Sequence, residues 1–293
     1  VAVRSCEDGA LVRTLDTNPV YALEGFIRHP SERLRIATRD GFEMEASWTR
    51  PADFDPARKY PVWVMTYGGP KSPTVRDSWN PEVWDQVLAT AGVVTLRVDP
   101  RSASGKGAVN AWTAYRQLGV QELKDLEDAV EWLKGHEWVD GERIGLSGHS
   151  YGGFMTAYAL THSGAFAAGI AGAPVTDWRE YDTIYTERYM GTPWENPEGY
   201  DRSSVVKAAK GLRGRLLIAH GGLDDNVHPS NTWRLVRALQ RANKQFDLAI
   251  YPANRHGIGG GQYQRLMYEF ILRTMRPGGS LADEEEKGEG RSE

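Results

Sequence analysis

The pattern of apolar positions divides the chain into a short first part and a long second part. From about residue 60 onward, short continuous apolar runs alternate with segments of helical periodicity. The runs are 62–65, 93–98, 144–146, 168–171, 216–219 and 246–250. Such runs, often β-branched, are typical of strands buried on both faces. The segments between them have the spacing of amphipathic helices, as in the stripe formed by Val120, Leu123, Leu126, Val130 and Leu133.

Strand–helix alternation over roughly two hundred residues predicts the α/β class, with a mostly parallel central sheet and helices on both faces. The first part of the chain differs. Two short apolar runs flank Glu7-Asp8-Gly9 and predict a β-hairpin. An isolated hairpin is marginal in water, so we expect it to belong to a larger β domain lying upstream. The alternating stretches 34–36 and 42–48 predict a second hairpin.

Composition adds limits on size and partners. The 293 residues are 40% hydrophobic and 25% charged, which allows a sizeable core. The 35 basic residues stand against 39 acidic ones, and a net charge of -4 argues against nucleic-acid binding. Residues 278–293 contain six acidic and two basic residues and almost nothing apolar, which predicts a disordered acidic tail.

Cys6 is the only cysteine, which excludes an intramolecular disulfide and a cysteine zinc cluster. No run approaches the length of a membrane span, and the start of the chain lacks the features of a signal peptide. We therefore expect neither a membrane nor a nucleic acid as partner. The compartment stays open between cytoplasm and export, because the chain also begins without Met.

The strongest chemical motif is Gly148-His149-Ser150-Tyr151-Gly152, which matches G-x-S-x-G. A predicted strand (144–146) precedes it and a predicted helix (154–160) follows it. In this context the motif is typical of a sharp turn that exposes a nucleophilic serine at a helix N-terminus. A glycine-rich structural turn is the alternative interpretation, and the flanking elements favour Ser150 as a nucleophile.

A serine hydroxyl needs a base, and the base needs an orienting acid, both on loops after later strands. Of the seven histidines, His256 fits this order best, because it lies just past the predicted strand 246–250. The loop after the predicted strand 216–219 contains the adjacent carboxylates Asp224 and Asp225. Spacing does not choose between them.

Acyl transfer also needs donors for the oxyanion. The backbone N–H of Tyr151 follows the nucleophile and supplies one donor. We expect the second from the loop 66–70 after the first parallel strand, where Tyr67 carries a hydroxyl. For Tyr67 alone, simple packing is the alternative role.

A metal site is a competing interpretation of one loop. His220, Asp224, Asp225 and His228 combine the imidazole and carboxylate ligands that a metal ion uses. The hydrolase interpretation requires one of the two aspartates to orient His256, so we expect no metal and no other cofactor.

Three stretches resemble the catalytic domain of the prolyl oligopeptidase family, above all its dipeptidyl peptidase IV branch. They are GHSYGG (148–153), APVTDWREYDTIYTERYMG (173–191) and HGGLDDNVH (220–228). The resemblance extends from about Arg39 to Met275 and implies an α/β-hydrolase fold. It implies a triad of Ser150, Asp224 and His256, with the Tyr67 hydroxyl and the Tyr151 N–H as oxyanion donors.

The resemblance further implies a pocket for a small or proline side chain. The lining residues are Tyr151, Val175, Trp178, Tyr181, Tyr185 and Val227, and Asn226 binds a substrate carbonyl. Family members carry a β-propeller ahead of the hydrolase, and nothing in this chain corresponds to it. We therefore expect a hairpin and linker left from an upstream propeller (1–30), the α/β-hydrolase domain (31–277) and the acidic tail (278–293).

The expected function is a serine peptidase that works through an acyl-enzyme and releases dipeptides after Pro or Ala from a peptide substrate. An acylaminoacyl peptidase or an oligopeptidase is the alternative within the family. A carboxylesterase, a lipase or a non-catalytic binding domain on the same fold is the alternative outside it. Tyr67 and the aromatic pocket favour peptides. The sequence leaves open whether the chain forms a homo-oligomer.

Overall fold

The computed structural model describes residues 1–17, 21, 25–26, 28–29, 31–78 and 83–276. Within these residues lie a two-stranded sheet and an eight-stranded sheet. The strands are β1 (Ala2–Arg4), β2 (Leu11–Thr14), β3 (Ser31–Ala37), β4 (Glu43–Thr49), β5 (Tyr60–Met65), β6 (Val94–Val98), β7 (Val139–His149), β8 (Ala168–Gly172), β9 (Arg215–Gly221) and β10 (Asp247–Tyr251). The α-helices are α1 (Val83–Thr90), α2 (Ala108–Ala111), α3 (Val120–Lys134), α4 (Tyr151–His162), α5 (Thr183–Met190), α6 (Pro197–Arg202), α7 (Val205–Ala208), α8 (Ser230–Arg241) and α9 (Gly261–Met275).

The large sheet has the strand order β10-β9-β8-β7-β5-β6-β4-β3. The pairs β3–β4 and β4–β6 are antiparallel, and the pairs from β6 to β10 are parallel. The prediction of a mostly parallel sheet is confirmed, and the architecture is that of an α/β hydrolase. Because β5, β7, β8, β9 and β10 are parallel, the loops that follow them all lie at the carboxyl-terminal end of the sheet.

Alternation along β5 shows how the helices cover both faces, as predicted. Val62 and Val64 belong to one buried cluster together with residues of α3 and α4, such as Leu126. Trp63 and Met65 belong to a second cluster, which includes residues of α1 and α9, for example Leu88 and Phe270. Successive side chains of a strand point to opposite faces, so each face has its own apolar core.

The position of β10 differs from the sequence prediction. The run 246–250 suggests a strand buried on both faces, but β10 forms the edge of the sheet and pairs with β9 alone among the described strands. Asp247 and Leu248 are exposed as a result. The composition of one strand does not reveal whether a neighbouring strand pairs with it on both sides.

Both predicted hairpins are present. β3 and β4 pair within the large sheet. Among the described strands, β1 and β2 pair only with each other, with Ala2 opposite Thr14. Every residue from 1 to 17 is exposed except the half-buried Ser5. Much of the predicted linker before β3 and the whole predicted acidic tail lie outside the described residues. None of the described helices has both the length and the apolar character required to cross a membrane.

Candidate active site

Ser150 stands between β7 and α4 in a conformation that few residues other than glycine adopt. Its φ is 61° and its ψ is -116°, and its backbone N–H donates to the Gly172 carbonyl over 2.8 Å. A positive φ in a non-glycine residue is a strain that the surrounding structure must hold. The predicted strand, turn and helix are all present, and the serine lies on the turn.

The glycines around Ser150 let this turn approach the loop after β5. A Cβ added to either Gly148 or Gly152 would lie 2.5 Å from the backbone carbonyl oxygen of Thr66. Cβ atoms do not come that close to backbone oxygens, so both positions require glycine. The G-x-S-x-G spacing therefore has a direct steric reason here.

Asp224 and His256 come from the loops after the adjacent parallel strands β9 and β10. His256 Nδ1 lies 2.8 Å from Asp224 Oδ2. The Asp224 side chain is wholly buried, while the His256 side chain is 24% exposed. Asp224 Oδ1 also accepts the backbone N–H groups of Asn226 and Val227, each over 2.9 Å. The carboxylate is thus held in one orientation, with one oxygen directed at His256.

The neighbouring Asp225 points elsewhere and forms an exposed ion pair with Arg255. His228, another member of the alternative metal set, has its Nδ1 3.0 Å from the Ser230 hydroxyl. In the described ranges, no three His, Cys, Asp or Glu side chains are grouped so that they could hold a metal ion. The hydrogen-bond partner of His256 is thus Asp224, because Asp225 pairs with Arg255 instead.

A second histidine contacts Asp224 from inside the protein. The buried His220 has its Nε2 3.2 Å from Asp224 Oδ2 and 2.8 Å from the Val227 carbonyl oxygen, and its Nδ1 2.7 Å from the Thr232 hydroxyl. Because a carbonyl oxygen only accepts, Nε2 donates and Nδ1 accepts from Thr232. Burial lowers the pKa of His220, which favours this neutral form.

The side chain before Ser150 packs against His256. The His149 and His256 ring centroids are 4.9 Å apart. Burial lowers the pKa of His149, and the neighbouring His256 lowers it further. A neutral His149 is therefore in contact with His256, one residue from the Ser150 turn.

Tyr67 lies beside Ser150 at the end of β5. Burial raises the pKa of Tyr67 above its ordinary value of 10.0, and a hydrogen bond with Ser150 partly offsets this rise. The hydroxyl is therefore protonated at neutral pH and can donate. Tyr151 begins α4, where the first backbone N–H groups have no partner within the helix. The Tyr67 and Tyr151 ring centroids are 6.0 Å apart.

The structure also brings the aromatic residues of the predicted pocket together. The Trp178 ring centroid lies 5.4 Å from that of Tyr151 and 5.9 Å from those of Tyr181 and Tyr185. The Tyr181 hydroxyl donates to Asn226 Oδ1 over 2.7 Å. The two aliphatic residues of the predicted lining are also buried: Val175 and Val227. Tyr185 lies on α5, a helix that the apolar pattern does not predict.

The sequence does not predict a role in the active site for two buried residues, His220 and Glu122. It suggests His220 only as a member of the alternative metal set, and it suggests no role for Glu122. Glu122 lies on α3, and its carboxylate accepts the Tyr151 hydroxyl over 3.1 Å. Its place three residues after Gly119 fits an N-terminal helix cap. That spacing could have suggested a structural carboxylate, but not the contact with Tyr151.

Comparison with known proteins agrees with the fold and the motifs. The family model of the prolyl oligopeptidase family matches residues 78–276. A dipeptidyl-aminopeptidase B from Aspergillus niger is 39% identical over 268 residues, which cover 90% of this chain and 29% of that protein. A dipeptidyl peptidase 4 structure from Porphyromonas gingivalis superposes with a TM-score of 0.84 and 40% identity, covering 93% of this chain and 40% of that one.

This protein therefore belongs to the prolyl oligopeptidase family and adopts the α/β-hydrolase fold. The resemblance drawn from the three sequence stretches is confirmed. The chain spans less than a third of the length of the fungal relative and two fifths of the bacterial chain.

Proposed function

We propose that this protein is a serine peptidase in which Ser150, Asp224 and His256 form the catalytic triad. His256 removes the Ser150 proton as the serine oxygen attacks the carbonyl carbon of a peptide bond. Asp224 keeps the His256 tautomer with its proton on Nδ1 and stabilises the imidazolium that forms. The imidazolium then gives its proton to the leaving amine, and water releases the acyl group through the same base.

The observation that carries this proposal is the hydrogen bond of 2.8 Å between His256 Nδ1 and the buried Asp224. It lies at the same carboxyl-terminal end of the parallel strands as the Ser150 turn. Tyr67 and the Tyr151 N–H donate to the oxyanion in this mechanism. Their placement beside Ser150 supports the role, because donors aimed at the developing charge lower the barrier most.

For the whole protein, we propose the release of N-terminal dipeptides after Pro or Ala. The flat aromatic rings of Trp178, Tyr181 and Tyr185 suit a pyrrolidine ring, and Asn226 lies beside them, where its side-chain NH₂ can donate to a substrate carbonyl. The names of the fungal and bacterial relatives support this choice over an esterase or a lipase.

We also propose that residues 1–30 belong to a β domain upstream of the hydrolase domain, which comprises residues 31–277. Two observations support this organisation. The β1–β2 hairpin is exposed and pairs with no other described strand. The chain aligns with only 29% of the fungal relative, so that relative contains much more than a hydrolase domain.

Labelling with a fluorophosphonate probe tests the triad. We expect stoichiometric covalent labelling of Ser150 in the native protein, because the probe reacts with serines activated by a neighbouring base. Ser150→Ala should not be labelled, and His256→Ala should be labelled far more slowly. Ser163→Ala is the matched control, since Ser163 lies at the far end of α4 and should leave labelling unchanged. A native protein that is not labelled at Ser150 would contradict the proposal.

A further inference from the structure

We infer that the buried Glu122 is a positioning residue that holds the Tyr151 ring as a wall of the substrate pocket and so sets the preference for a small or proline side chain. This inference rests on the proposed function and on the pocket role that the family resemblance implies for the Tyr151 side chain. Glu122 itself does not contact the substrate.

Glu122 sits among hydrogen-bond donors in the protein interior. It is wholly buried, and its Oε1 accepts the hydroxyls of Tyr151 and Ser102, each over 3.1 Å. Its Oε2 accepts the Gly119 N–H over 3.1 Å. A buried carboxyl is costly unless its oxygens are hydrogen-bonded. Burial raises the pKa of Glu122 to about 7. Burial of this carboxyl costs free energy, and the group lies directly behind the proposed pocket wall formed by Tyr151.

Tyr151 is held at both ends by this arrangement. Its backbone is fixed where the strained Ser150 turn meets α4, and its hydroxyl is fixed on Glu122. Between these points the ring packs against Trp178 and Phe154, with centroids 5.4 Å and 5.2 Å away. A tyrosine ring anchored at its backbone and at its tip keeps one orientation, so the pocket keeps a fixed width.

Glu122 also reaches the other side of the site through Ser102. The Ser102 hydroxyl lies 3.1 Å from Glu122 Oε1 and 3.3 Å from the carbonyl oxygen of Gly68, the residue after Tyr67. One carboxylate oxygen therefore links α3, the loop after β6 and the Ser150 turn, and it lies next to the loop that carries Tyr67. No described residue other than Tyr151 connects Glu122 directly to the pocket by a hydrogen bond.

The test compares hydrolysis of Ala-Pro and Ala-Phe anilides by variants at the two ends of the contact. Glu122→Met removes the acceptor at similar size, and Tyr151→Phe removes only the hydroxyl. We expect each to lower the preference for Ala-Pro over Ala-Phe by about tenfold, the size of effect that the loss of one hydrogen bond to a charged group can produce. Glu122→Gln keeps an oxygen acceptor and should restore most of the preference.

The double variant Glu122→Met/Tyr151→Phe should lose no more preference than either single variant, because both remove the same contact. Ser102→Ala is the control that removes a different donor from the same oxygen and leaves the Tyr151 contact in place. Its preference should stay within about twofold of the native protein, since it removes no part of the pocket wall. Fluorophosphonate labelling of Ser150 should remain complete in the folded Glu122→Met and Ser102→Ala variants.

Losses that add in the double variant, or an unchanged preference in both single variants, would overturn the inference. If Glu122→Met does not fold, Tyr151→Phe still tests the contact, because it leaves the carboxylate two of its three donors. Failure of the proposed function has a different signature, namely no labelling of the native protein.

Discussion

At the scale of single residues, the chemistry depends on hydroxyl and imidazole groups held in one protonation state. Tyr67 illustrates this. Its raised pKa keeps the phenol neutral at working pH, so it can donate a hydrogen bond to an oxyanion but cannot carry a competing negative charge. The neutral His149 and His220 likewise add no positive charge around His256.

Tyr67→Phe tests the oxyanion role. We expect kcat to fall by about 10²- to 10³-fold with little change in KM, because the lost donor acts mainly on the transition state. Steady-state hydrolysis of an Ala-Pro anilide measures both constants. Tyr200→Phe is the matched control, since it also removes a hydroxyl hydrogen bond, to Gly191 over 2.8 Å, but lies outside the site. Equal kcat values for the two variants would refute the role of Tyr67.

The sequence predicts much of the candidate site at this scale. Chain order and motif spacing point to Ser150 and His256 and narrow the acid to two aspartates. The family resemblance selects Asp224 of these two, and the structure shows the physical difference, since Asp224 faces His256 while Asp225 pairs with Arg255 at the surface. The contacts of Glu122 and His220 depend on side chains meeting in the folded interior, which spacing does not encode.

At the scale of elements, the sharp junction of β7 and α4 is tightly constrained by close backbone contacts. Long, regular elements such as α3 and the parallel strands are predicted well from apolar periodicity. The helices α5, α6 and α7 are not, because at eight, six and four residues they are too short to show a repeated apolar stripe. On α5, Ile184 is 80% exposed while Thr186 is buried, the reverse of what hydrophobicity suggests.

Gly148→Ala tests the steric requirement of this junction. The added methyl group would meet the backbone of Gly152 and Thr66 at 2.5 Å, and backbone atoms cannot easily move away. We expect a loss of about 3 kcal/mol in the free energy of unfolding. Urea denaturation followed by circular dichroism measures it. Gly259→Ala, with no atom within 4 Å of the added carbon, should change stability by less than about 0.5 kcal/mol. Similar losses in both variants would show that the close contact is not limiting.

At the scale of the whole molecule, the candidate site supplies only part of what the proposed exopeptidase activity needs. The proposed pocket residues of this chain are aromatic, aliphatic or amide, and none of them is a carboxylate. Recognition of a substrate's free amine requires negative charge nearby. We therefore expect amine recognition in the whole protein to depend on the proposed upstream domain.

Free and N-blocked Ala-Pro anilides test this division of labour. We expect this chain to hydrolyse the two substrates with kcat/KM values within about tenfold of each other. The two substrates differ in a solvent-exposed ammonium group, and the interactions of such a group with a protein surface are weak. Parallel progress curves for both substrates give the ratio. A preference of more than a hundredfold for the free amine would mean that this chain itself contains the amine-binding group.

The position of the site at the ends of β5, β7, β8, β9 and β10 has a practical consequence. Its groups lie as far apart in the chain as Tyr67 and His256, so they converge only when the whole parallel sheet has formed. A reagent that reacts with Ser150 only in the assembled site would therefore count native molecules. Its labelling stoichiometry would report the folded fraction of a preparation directly, including losses that a measurement of helix content would miss.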